Sequence, residues 1–124
     1  MKNIFSDADE ISTYTRADAI ADGVLVDISA RYPISRRLYK FPIACTESVW
    51  SVIESTGHEE LLGIVLAVLV ASQKNITKPI DEASHIFGVV LEGAAPTEHC
   101  TFKIMCHGGD ECEPCLTIMM PNED

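Results

Sequence analysis

The stretch richest in side chains that could do chemistry is CHGGDECEPC, residues 106–115. It holds three of the chain's five cysteines, one histidine and three carboxylates. Cys106, His107, Cys112 and Cys115 supply enough donors for a tetrahedral zinc ion, and a C-x-x-C pair also occurs at redox sites. The two glycines, the aspartate and the proline are equally typical of a long hairpin loop. The stretch can therefore be interpreted as a metal site, a redox loop or a hairpin tip.

Strand register distinguishes between these interpretations. If Cys106 pairs with Leu116, six side chains of the flanking segments CTFKIM and LTIMM share one apolar face. The other four are Phe102, Ile104, Ile118 and Met120. A shift by one residue would instead pair Cys106 with Cys115 and bring Thr117 to that face. The first register buries more apolar surface, so it predicts Cys106 in the core and Cys115 at the loop edge, facing elsewhere.

In that register the two thiols do not converge, so we expect no cofactor and no metal. A zinc site built from Cys106, His107, Cys112 and Cys115 is the alternative. A redox C-x-x-C normally opens a helix, whereas this one opens a strand. A hairpin tip is therefore the favoured interpretation of the stretch.

The remaining pattern predicts a single α+β domain, residues 1–124, with a small, mainly antiparallel sheet covered by two or three helices. We expect strands near 24–28, 86–92, 100–106 and 116–120, and helices near 15–23, 46–55 and 59–72. Thr15 with Asp18 forms a capping-box pattern, and Thr46 is an expected N-cap. The segment ITKP is predicted to be loop, and SRRLYKF a helical turn.

The apolar run LLGIVLAVLVAS, residues 61–72, is shorter than the roughly 20 residues that a membrane-spanning helix needs. We therefore predict that it is the most buried helix, with Leu66 inside it.

The charge is strongly acidic and unevenly distributed. Nine basic residues stand against 19 acidic ones, which gives a net charge of −10. The acids dominate residues 1–30 and 92–124, whereas the short segment 31–43 carries only bases. Direct nucleic-acid binding and anionic membranes are disfavoured, because phosphate contacts need Lys and Arg. The composition favours a basic partner.

No catalytic pattern stands out. There is no G-x-S-x-G, H-E-x-x-H, P-loop or dinucleotide fingerprint. Asp22 and Asp27 flank GVLV, but they are better assigned to a helix end and a strand face. We therefore expect no enzyme, and keep an enzyme with a dispersed site as an alternative. The start MKNIFSDADE has no apolar core of a signal peptide, and five cysteines cannot all pair, so we expect reduced thiols and a cytoplasmic protein.

Three blocks of the chain carry a resemblance. They are YTRADAIADGVLVDIS, KFPIACTESVW and GGDECEPCLTIMMPNED. Together they resemble a family of small proteins encoded by phages, plasmids and integrated elements of bacteria. That family has Gly-Asp-x-Gly-Glu-Pro in the hairpin, so a glycine corresponds to Cys112 and an aliphatic residue to Cys115. The resemblance implies an accessory gene of a mobile element, a setting in which anti-restriction and anti-CRISPR proteins are common.

The expected function is therefore binding without turnover. An inhibitor of a host defence nucleoprotein complex would present acidic, DNA-mimic-like surface to a basic channel. A zinc-stabilised binding module is the alternative from another class. The candidate contact residues are Asp110, Glu111, Glu113, Asp7, Asp9, Glu10, Arg36 and Arg37.

Overall fold

The computed structural model describes residues 14–91 and 99–123. The helices are α1 (Arg16–Ala21), α2 (Ile28–Arg31), α3 (Glu47–Glu54) and α4 (Leu62–Lys74), with a 3₁₀ helix at Pro33–Arg37. The strands are β1 (Leu25–Asp27), β2 (Ile43–Thr46), β3 (Ile76–Pro79), β4 (Ser84–Val90), β5 (His99–Gly108) and β6 (Pro114–Met119).

The six strands form one open sheet in the order β1-β2-β6-β5-β4-β3. Every neighbouring pair is antiparallel except β2 and β6, which run parallel. The α+β fold with a mainly antiparallel sheet is confirmed. The last strand along the chain lies near the middle of the sheet, where it joins the β1-β2 pair to the β5-β4-β3 meander.

Helices α3 and α4 cover one face of the sheet and enclose the main core. Val49 and Ile53 of α3 and Leu69 of α4 have no exposed surface, and they pack with Phe87 and Phe102 from the sheet. Burial of such side chains is the main stabilising contribution to a domain of this size. Leu66 is half-buried, not enclosed; the buried residues of α4 are Val65, Val68, Leu69, Ala71 and Ser72.

The helix caps predicted from the sequence are present in the structure. Thr15 and Asp18 form the predicted capping box of α1, and the side chain of Thr46 accepts from the amide of Val49 at the start of α3. Gly23 follows α1 with a φ of +80°, a backbone conformation that glycine adopts without steric cost. No helix in the described ranges has both the length and the apolar character needed to cross a bilayer.

Two strands were not predicted. The segment ITKP was assigned to a loop, but it forms the edge strand β3, where the terminal Pro79 is tolerated and the pairing with β4 is irregular. Strand β2 lies in a segment for which no strand was expected. Its four residues are mostly buried because it is sandwiched between β1 and β6, and such a short apolar run has no diagnostic period.

The predicted register is confirmed, with Cys106 opposite Leu116 and Ile104 opposite Ile118. Cys115 lies near the hairpin end of β6 and faces away from the main core, as predicted, and only 1% of its surface is exposed. Helix α1 packs on this second face through Arg16, which bonds to β6, so the end of β6 is covered on both sides.

Candidate functional site

A partly open cleft of about 660 Å³ lies on the second face of the sheet. Its walls are α1, the corner between β2 and α3, and the ends of β5 and β6. Its apolar lining comes from Ala19, Val24, Leu25, Met105 and Met119. This volume is within the range of pockets that hold small ligands or single side chains.

A polar network crosses the inner part of the cleft. The Arg16 guanidinium donates from Nη1 to Thr117 Oγ1 and from Nη2 to the Leu116 carbonyl, both at 2.9 Å. His107 Nε2 lies 2.7 Å from the same hydroxyl oxygen. Thr117 is buried and its hydroxyl contacts both side chains, so the network fixes Arg16 against the sheet. Both acceptors of the guanidinium are neutral.

Asp110, at the hairpin tip, is bonded to α1. Its two carboxylate oxygens accept from the amides of Arg16 at 2.7 Å and of Ala17 at 3.1 Å. These amides have no partner within the helix, because the first turn of any helix leaves its N–H groups unsatisfied. Asp110 therefore acts as a helix cap supplied from the other end of the chain, and it ties the hairpin to α1.

The rest of the tip is a tight turn. The amide of Gly109 donates to the Glu113 carbonyl, and the amide of Cys112 donates to the Gly109 carbonyl. Cys112 has a φ of +65°. The Glu113 carboxylate folds back and accepts from the amide of Glu111 at 2.8 Å. Only Glu111 among the three tip acids has a carboxylate that accepts no hydrogen bond from the described residues.

Exposed carboxylates lie on α1, α3 and the hairpin tip, the elements that wall the cleft, and we call them the acidic face; of these, Glu47 and Asp110 line the cleft itself. The members of the acidic face are Asp18, Asp22, Glu47, Asp110, Glu111 and Glu113, all exposed. Asp22 accepts from the Tyr14 hydroxyl at 2.7 Å, and this bond is the main cause of the raised pKa of Tyr14. The predicted contact residues Asp7, Asp9 and Glu10 lie outside the described residues.

The basic segment lies on the other face of the sheet. Arg36 and Arg37 are exposed on the 3₁₀ helix, and Arg36 donates to the Lys40 carbonyl. Tyr39 bonds to Ser72 of α4, which places this segment beside the main core. The basic segment therefore lies apart from the acidic face.

The cysteines do not form a shared site. His107 and Cys115 face the cleft side, with 3.7 Å between Sγ and Nδ1, whereas Cys106 packs against the main core and Cys112 is exposed. Burial raises the pKa of the Cys115 thiol despite the nearby Arg16. In the part of the chain that the structure describes, no three His, Cys, Asp or Glu side chains group to hold a metal. The zinc alternative gains no support from this geometry.

Sequence reasoning missed the cleft, and with it the roles of Arg16, Glu47 and Thr117. The alternation in β5 and β6 held a signal, because His107, Cys115 and Thr117 share the face opposite the apolar one. The register prediction used only the apolar face of the two strands. No local sequence pattern indicated that α1 packs against the other face of β5 and β6.

The chain belongs to a family of unknown function (DUF6573), whose model matches residues 1–124. No match was found among curated proteins or among solved structures.

Proposed function

We propose that this protein acts by binding a partner with a basic surface, through the acidic face and without turnover. The observation that carries the proposal is that the fold brings exposed carboxylates of α1, α3 and the hairpin tip to the walls of one cleft, where Glu47 and Asp110 line the cleft itself. Arg16 is the basic residue lining that cleft, and it is held inward by Thr117 and Leu116. Such a field accelerates association with a cationic surface.

The specific form of the proposal is an inhibitor of a host defence nucleoprotein complex, of the anti-CRISPR or anti-restriction type. The protein would be the product of a phage, plasmid or integrated element and would act in the cytoplasm of a bacterial host. The resemblance of the three sequence blocks supports this setting. The acidic face supports the mode of action, because carboxylates can take the place of DNA phosphates in a basic channel.

The test needs charge changes that leave the fold intact. Asp110 and Glu113 hold the tip together, so they are unsuitable. We choose Glu47→Lys with Glu111→Lys, both at exposed positions. The matched control, Glu54→Lys with Glu82→Lys, changes the net charge equally at exposed positions outside the acidic face.

The readout is phage plating on hosts that carry a CRISPR or restriction system, with and without the protein. We expect the parent and the control to restore plating in a host whose system is the target, and the acidic-face variant to lose most of this effect. In parallel, binding of the parent to the purified target should weaken as salt rises. Equal activity of all three proteins would contradict the proposal.

A further inference from the structure

We propose that the cleft receives an arginine side chain from an otherwise apolar segment of the partner. This inference rests on the proposed function and deepens it. The acidic face attracts the partner, and the cleft fixes where it binds. The occupant is inferred from the cleft's size, its apolar lining and its charge.

The cleft has room for a long side chain and part of its neighbours. Leu25, Met105 and Met119 offer apolar surface along it. The methylene stem of a basic side chain packs on such surface while its charged end stays near water. Methionine side chains adapt to an incoming group because they are flexible and polarisable.

The charge of the lining favours a cation. Glu47, Asp110 and Glu123 line the cleft together with a single guanidinium, that of Arg16. The bonds that Asp110 and Glu123 accept come from backbone amides and from the Thr46 hydroxyl, which are neutral donors. The Lys103 ammonium donates to the Glu123 backbone carbonyl and partly offsets the charge of Glu123, whereas Asp110 has no ion-pair partner within the described residues.

An anionic ligand on Arg16 is disfavoured for the same reason. Its Nη1 and Nη2 atoms already donate to Thr117 and to Leu116, and three carboxylates line the same cleft. Arginine suits the site better than lysine, since its planar guanidinium can bond to a carboxylate through two parallel N–H groups.

The probe is an acetylated, amidated hexapeptide that carries one arginine among apolar residues. Its control replaces that arginine by citrulline, which is neutral and nearly the same shape. Amide shifts of the whole ¹⁵N-labelled protein are followed during each titration. We expect the arginine peptide to shift Ser48, Gly108 and Met119, and the citrulline peptide to bind at least about tenfold more weakly. Equal binding of both peptides, no binding at all, or shifts confined to the basic segment around Arg36 would overturn the inference.

Two variants of α3 locate the occupant. Ser48→Trp fills the mouth of the cleft, whereas Ser51→Trp adds the same bulk at an exposed position that does not line it. We expect Ser48→Trp to abolish the shifts and Ser51→Trp to retain them. If inorganic phosphate, or a second copy of the protein seen as a dimer in sedimentation, competes for the same amides, the occupant has been assigned wrongly.

The two proposals fail differently. If the double variant Glu47→Lys, Glu111→Lys no longer restores phage plating and Ser48→Trp restores it fully, the acidic-face function is kept and arginine insertion is rejected. If both variants restore phage plating as well as the parent does, the proposed function itself is rejected.

Discussion

Cys112 occupies a position in the hairpin turn that suits glycine. Its φ of +65° makes it the sole non-glycine residue with positive φ in the described ranges. A side chain in this left-handed conformation costs roughly 1–2 kcal/mol, part of which glycine's greater unfolded-state freedom offsets. We expect Cys112→Gly to raise the free energy of unfolding by about 0.5–1 kcal/mol in urea denaturation.

Cys112→Ala separates the backbone effect from loss of the thiol. Alanine keeps the strained conformation, so this variant should unfold like the parent. An equal gain from alanine and glycine would show that the thiol, not the backbone, is unfavourable there.

Asp110 was expected to be a free surface charge, but it caps α1. We expect Asp110→Ala to lower the free energy of unfolding by about 1–2 kcal/mol, because two helix-end amides lose their acceptor. Glu111→Ala, one residue away on the same tip, should change stability little. Thermal unfolding of both variants provides the comparison, and equal melting temperatures would remove Asp110 from the capping role.

The different roles of Asp110 and Glu111 show which features the sequence could predict at the residue scale. The capping box at Thr15 and the N-cap at Thr46 are local patterns, and both were predicted correctly. The partner of Asp110 lies 94 residues away, so no spacing in the chain could reveal it.

At the scale of elements, the packing of α4 depends on the side of the helix that faces the sheet. Leu69 is fully buried, while Ala67, on the same helix, is exposed. We expect Leu69→Asp to cost several kcal/mol or prevent folding, because it places an unpaired charge in the core. Ala67→Asp should cost less than about 1 kcal/mol. Circular dichroism and chemical denaturation test both, and a Leu69→Asp protein as stable as Ala67→Asp would mean that α4 is wrongly placed.

The long apolar helix and the β5-β6 hairpin could be predicted because each carries a clear apolar pattern. Strands β2 and β3 could not, since each has four residues and little alternation. The half-buried position of Leu66 was also missed. A nearly uniform apolar helix does not reveal which of its sides faces the sheet.

At the scale of the whole molecule, ionisation of the free thiols makes the free energy of unfolding depend on pH in the alkaline range. Burial raises the pKa of Cys45 from its usual 9 to about 12. Above pH 9 the unfolded thiol ionises while the folded one keeps its proton, so stability falls as pH rises through this window and is unaffected below it. One unit above pH 9, the expected loss from Cys45 is about 1.4 kcal/mol.

Cys45→Ala serves as the control for this pH dependence. It should lose packing at every pH but show a shallower alkaline decline. Some decline should remain, because the pKa values of Cys115 and Tyr39 are raised as well. Urea denaturation on either side of pH 9 measures both slopes, and parallel slopes would mean that Cys45 ionises freely in the folded protein.

Because β6 lies near the middle of the sheet, the sheet cannot be completed during synthesis until β6 is available. Apart from each other, β1 and β2 have β6 as their one neighbour in the described sheet, and β6 follows all the other described strands along the chain. A nascent chain that still holds residues 114–119 in the ribosome has an unjoined β1-β2 pair and an open edge on β5. Long-range pairings of this kind form slowly and leave strand edges exposed. We therefore expect force-sensitive arrest sequences to report folding only after β6 has left the exit tunnel. Until then, the emerging chain exposes unpaired strand edges.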